Sequence, residues 1–111
     1  MKYLLIILGS LALVFPIHAQ NISTQCVSES GKSIYNLSFD LIDKTGIIRY
    51  RFMDQDVTYA VAIDVVNTLE VWGRAEFKSS RSGKIRGNPF SFTYYVKEKK
   101  FKEMNILAKC R

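Results

Sequence analysis

From Ile22 to the end of the chain, apolar and polar residues alternate in short runs, and nearly every run stops at a turn signal. Tyr35, Leu37, Phe39 and Leu41 alternate with Asn36, Ser38 and Asp40, which puts one face of an extended segment in a core and the other in water. Asp43, Lys44, Thr45 and Gly46 then supply a tight turn. Ile48, Tyr50 and Phe52 repeat the pattern against Arg49, Arg51 and Met53. After Asp54, Gln55 and Asp56, the longest alternation follows: Val57, Tyr59, Val61, Ile63 and Val65. Beyond a turn at Asn67 and Thr68, Leu69, Val71, Ala75 and Phe77 are expected inside, with Glu70, Trp72, Arg74 and Glu76 outside. A polar stretch from Lys78 to Pro89 interrupts the pattern before Phe90, Phe92, Tyr94 and Val96 resume it.

The final segment is ambiguous by period. Phe101, Met104 and Ala108 suit a helix face, whereas Met104, Ile106, Ala108 and Cys110 suit a strand face. The strand is chosen because it turns Cys110 toward the apolar side. With Ile22 to Ser28 as the first strand, the pattern predicts an all-β fold of about seven strands. Short connections favour an antiparallel meander, and a meander of this length protects its edges by curling into a small barrel or a two-layer sandwich. Periodicity does not separate the two.

Residues 1–19 carry a different message. Lys2 precedes an apolar and small stretch from Leu4 to Phe15, followed by Pro16 and the small residue Ala19. This is the form of a secretory signal peptide, too short in its apolar part to span a bilayer, and no second hydrophobic segment follows. Residues 20–111 are then one small exported β domain, periplasmic or secreted, with no transmembrane segment and a monomeric state expected.

Export bears on the cysteines. Cys26 and Cys110 are the two cysteines of the chain, near its mature ends. Ser23, Thr24 and Gln25 are not the small apolar run that precedes a lipidated cysteine, so the pair reads as a disulfide clasp. Closing so long a loop restricts the unfolded chain by about 4 to 5 kcal/mol in the entropy model.

His18, the one histidine, lies in the leader. Without histidine, the mature chain cannot build Ser/His/Asp or Cys/His nucleophiles and lacks the commonest zinc and copper ligand. A paired-carboxylate mechanism could draw on Asp40, Asp43, Asp54, Asp56, Asp64, Glu70 and Glu76, but most of these read as turns or outward faces. A non-enzyme without cofactor or metal is expected.

The formal net charge is +6, one unit lower without Lys2. Such a balance draws anionic partners without choosing among them. An anionic protein, glycan or lipid surface is expected rather than nucleic acid, because Phe90, Phe92 and Tyr94 alternate as core residues and leave only Tyr95 of that strand on the charged side. Lys78, Arg81, Lys84 and Arg86 fall in one acid-free stretch with serines and Gly83 between them. Those groups grip phosphate or carboxylate oxygens, Arg as a fork and Lys as a point charge. The stretch lacks the upstream glycine and downstream Ser/Thr of a nucleotide-binding loop. It also reads simply as a solvated hairpin that maintains solubility. Trp72, on the outward face beside Arg74, is a candidate anchor, or else core packing if Gly73 marks a bulge that resets the register. The expected binding set is Trp72, Arg74, Lys78, Arg81, Lys84 and Arg86.

In plan, a leader followed by a small disulfide-tied β domain resembles small bacterial periplasmic proteins, among them the lysozyme inhibitors. The resemblance is architectural: the inhibitors' loop motifs are not matched, and no site residue is carried across. The expected function is a non-catalytic exported binding domain that docks an anionic partner or envelope surface through its basic loop. Inhibition of a secreted hydrolase and a structural role in the envelope are the alternatives.

Overall fold

A computed structural model describes residues 21–111, so the expected leader lies outside the described residues. The chain forms eight strands: β1 Asn21–Ser28, β2 Ser33–Asp40, β3 Thr45–Phe52, β4 Gln55–Val66, β5 Glu70–Ser80, β6 Phe90–Tyr95, β7 Lys100–Glu103 and β8 Ile106–Cys110. Each pairs antiparallel with the next, and β8 returns to β1, so the meander closes as a barrel rather than a sandwich. The count exceeds the sequence expectation because the last segment breaks into β7 and β8. Met104 adopts φ 52° at the break and is exposed, so it does not join the strand face of Ile106, Ala108 and Cys110.

The seam between β1 and β8 is short. Cys26 faces Cys110, Val27 faces Lys109, and Ser28 faces Ala108. The disulfide joins the first of these pairs, whose Cα atoms are 3.9 Å apart. Arg111 continues the closure, donating from its backbone N–H to the Gln25 carbonyl at 3.1 Å.

Alternation places the core as expected. Tyr35, Leu37 and Phe39 of β2, Ile48 of β3, Val57, Tyr59, Val61 and Ile63 of β4, and Val71 and Ala75 of β5 are buried. Phe92, Tyr94, Phe101 and Ala108 complete the interior from the other side. Aromatic rings form a continuous ladder: Phe39 to Phe92 at 5.2 Å, Phe92 to Phe101 at 5.5 Å, Phe101 to Tyr35 at 4.7 Å and Tyr35 to Tyr50 at 4.9 Å between centroids. Such contacts add about 0.5 to 1.5 kcal/mol each beyond area burial. Gly73 permits the ladder's approach to β5, because a Cβ there would stand 2.8 Å from the Phe92 ring and 2.7 Å from the Ala62 carbonyl.

Two β-bulges interrupt the pairing of β4 with β5, one skipping Lys78 and one skipping Asp64. The second turns Val65 to the outside, opposite Trp72, so Val65 leaves the inward set that period-2 alternation assigns it. Leu69, expected inside, is 57% exposed. It sits in the turn, where the Asn67 side chain accepts from the backbone N–H groups of Leu69 and Glu70 and ends the alternation before β5 begins.

Candidate functional site

The long strands β3, β4 and β5 form one wall of the barrel, and their register gathers cations near the 81–89 loop. Arg49 faces Thr58, and Thr58 faces Ser79. One step on, Arg51 faces Asp56, whose backbone carbonyl accepts from the Arg81 N–H at 2.9 Å. Arg49, Arg51, Arg81 and the hydroxyls of Thr58, Ser79 and Ser80 thus line one shallow groove. Asp56 is its carboxylate, 3.5 Å from the Arg51 guanidinium. Along β3 the two arginines stand roughly 7 Å apart, and two strand spacings carry the groove roughly 10 Å across to β5. Arginine forks and hydroxyl donors at these spacings suit several oxyanion groups on one ligand.

The 81–89 loop is not a freely projecting arm. Gly87 lies against the Tyr59 hydroxyl, where a Cβ would overlap the phenol oxygen. Ile85 packs against the core, and the Arg86 guanidinium stands over the Phe77 ring at 5.4 Å. The tip is held by the Gly83 N–H, donating to the Ser80 carbonyl at 3.2 Å, and by the Lys84 N–H, donating to the Ser82 hydroxyl at 3.1 Å. The loop is therefore folded over one end of the barrel.

The expected binding residues consequently fall into separate groups. Arg81 joins the groove, whereas Lys78, exposed and bulged in β5, does not line it. Lys84 is exposed near the loop tip, and Arg86 is engaged with Phe77. Arg74 makes a bidentate pair with Asp64, both N–O distances being 3.0 Å. That pair holds the Asp64 carboxyl below its usual range and raises Arg74. Trp72 is outward and 47% exposed, with its indole N–H donating to Glu70 at 2.7 Å. Eight residues of extended β5 lie between Trp72 and Arg81, which sets them roughly 30 Å apart. Sequence reasoning missed Arg49 and Arg51 as site residues: alternation shows that they face outward but not which strand lies beside them.

Trp72, near the start of β5, borders the opposite wall. It pairs with Thr93, Thr93 with Lys102, and Lys102 with Leu107. In the next row, Tyr95 pairs with Lys100, Lys100 with Lys109, and Lys109 with Val27. Like charges directly opposite, as in Lys100 and Lys109, are unfavourable in a sheet unless something compensates them.

Inside the barrel, the Tyr35 hydroxyl donates to Glu103 at 2.8 Å, and the Ser33 and Tyr50 hydroxyls share a 3.1 Å hydrogen bond. Burial first, and then the Glu103 carboxylate, pushes the Tyr35 phenol well above its ordinary value. Tyr59 is raised by burial and by Glu103 and Tyr50, and Tyr94 by burial. Among the described residues, no buried side-chain polar atom lacks a partner, and no three His, Cys, Asp or Glu side chains gather as a metal site. Of the acids considered for catalysis, Asp56 and Asp64 pair with arginines, Asp40 caps its own turn and Glu70 holds Trp72. No protein-family model, no curated protein and no solved structure matches the chain.

Proposed function

We propose that the protein is a non-catalytic exported binding domain that docks an anionic partner through the groove of Arg49, Arg51 and Arg81. The observation that carries this reading is the convergence of three arginines from β3 and the β5 end around the hydroxyls of Thr58, Ser79 and Ser80. A carboxylate-, sulfate- or phosphate-bearing partner would exchange its hydration for forked, charge-assisted hydrogen bonds there. Residues 81–89 supply Arg81 from a fixed base, so little loop ordering opposes binding.

The test is titration with heparin as a model polyanion at low and moderate salt. Arg49→Gln with Arg81→Gln should weaken binding by about tenfold or more, the scale of losing charge-assisted bonds worth ~1.5 to 3 kcal/mol. Lys84→Gln should cost far less. Equal losses from both variants would reduce the groove to unspecific charge.

The anchored loop favours a second reading, inhibition of a secreted hydrolase. The seating of Gly87 on Tyr59 and of Arg86 on Phe77 holds the exposed residues 82–84 in a fixed conformation at one end of the barrel, which lowers the ordering cost of docking against an enzyme. Stoichiometric inhibition at equimolar protein, lost on changing residues 82–86 and retained in Arg49→Gln, would favour it over the groove.

A further inference from the structure

We infer that the outer face of β6, β7 and β8, bordered by Trp72, is a docking surface for an anionic lipid bilayer. This face lies on the wall away from the arginine groove and needs none of its residues. Lys100, Lys102 and Lys109 stand on adjacent strands, and the 96–99 turn adds Lys97 and Lys99. Neither of the two ion pairs among the described residues involves any of these lysines. Glu103, the acid of β7, turns inward to Tyr35, while Glu70 at the border is engaged by Trp72 and Glu98 lies in the turn. Glu29, just past β1, shares a hollow with Lys109 and Leu107 at the far edge, and the lysines outnumber the acids on this face. The unfavourable pairing of Lys100 with Lys109 is relieved by a negatively charged surface lying over both.

A bilayer, rather than a strand of nucleic acid, fits the other side chains. Trp72 and Leu107 share a row with Lys102 and are 47% and 45% exposed, so apolar bodies flank the cations. Trp72 has its polar edge occupied by Glu70, leaving the ring to meet the headgroup region, where tryptophan and tyrosine concentrate. The outside of a closed barrel is convex, and four adjacent strands span roughly 14 Å of it. A convex face with lysine point charges suits a diffuse negative plane, whereas recognition of discrete phosphates favours arginine forks in a groove.

Trp72 is the one tryptophan of the chain, so its emission reports this face directly. The barrel closes within residues 21–111, and the oxidised chain beginning at Gln20 is the species to use. It would be mixed with phosphatidylcholine vesicles with and without about one-third phosphatidylglycerol. Anionic vesicles should shift Trp72 emission to the blue and sediment the protein, and neutral ones should do neither. Changing Lys100, Lys102 and Lys109 together to Gln should weaken sedimentation on the order of 100-fold, about fivefold per lysine. Arg49→Gln with Arg81→Gln should leave it within about twofold, which separates this surface from the groove. Equal binding to neutral vesicles, binding without a Trp72 shift, or loss in the arginine variant instead of the lysine variant would overturn the inference. Capture of heparin or single-stranded DNA by these lysines without vesicle binding would also overturn it.

Discussion

The two walls of the barrel are built differently. On the β3–β4–β5 side, strands of 8, 12 and 11 residues pair along most of their length, and their charged side chains form a groove. On the other side β6, β7 and β8 have 6, 4 and 5 residues, and β8 reaches β1 through three paired positions reinforced by the disulfide. The long wall holds its shape by ladder hydrogen bonding and can position arginine forks. The short wall depends on a covalent clasp and on Phe101, and it presents lysines whose recognition needs no fixed geometry. Rigidity and surface charge chemistry thus run in parallel across the molecule.

Replacing Cys26 and Cys110 together by Ala tests that contrast most severely. The loss should approach about 4 kcal/mol by loop-closure entropy. Amide exchange should accelerate first in β1 and β8, with residues 57–63 of β4 protected longest. Uniform acceleration would mean that the walls are one cooperative unit and that the contrast is only geometric. A step of comparable size is Phe101→Ala, which removes a fully buried ring from the aromatic ladder. Denaturant unfolding should report a loss of roughly 3 to 5 kcal/mol, against roughly 0.5 to 1.5 for Ile48→Val on the long wall.

Alkaline titration probes the interior that both walls share. Tyr35, Tyr59 and Tyr94 have raised pKa values in the fold, so the unfolded chain loses these protons first. Their contribution is intact below the unfolded tyrosine value of about 10 and is lost as pH rises above it, by about 1.4 kcal/mol per pH unit for each retained proton. Ionisation of Tyr35, Tyr59 and Tyr94, followed ring by ring by NMR, should therefore coincide with the loss of circular dichroism above that pH. Ionisation of one of these three rings with the fold intact would show that one wall opens alone.

The smallest effect is expected at Arg74→Gln. Its partner Asp64 is a bulged, exposed residue whose lowered pKa contributes above the usual carboxylate range and is lost as pH falls through the folded value. Exposed pairs of this kind are weak. Melting temperature and heparin affinity should both stay at wild-type values, and a drop in affinity would return Arg74 to the binding set.

Much of the barrel is legible in the chain because a strand's side chains alternate with a period of two, whatever it pairs with. That regularity assigned Tyr35, Leu37 and Phe39 to the inside and Trp72 and Arg74 to the outside, and the end cysteines implied a clasp. Where local turn chemistry interrupts the period, at Leu69 and Met104, the pattern misassigned residues. The candidate sites were less legible. Arg49 and Arg51 are distant in sequence from Arg81, and Lys102 from Trp72. Their meeting depends on strand register, bulges and closure.

The sequence by itself determined that the chain is a succession of short strands, which face of most of them is apolar and where a disulfide could tie the ends. The tertiary structure alone decided that the meander closes as a barrel, that Arg81 joins Arg49 and Arg51, and that Trp72 stands with the lysines instead. Alternation is a local property of the backbone, whereas neighbourhood across strands is set by the stagger accumulated around a closed sheet.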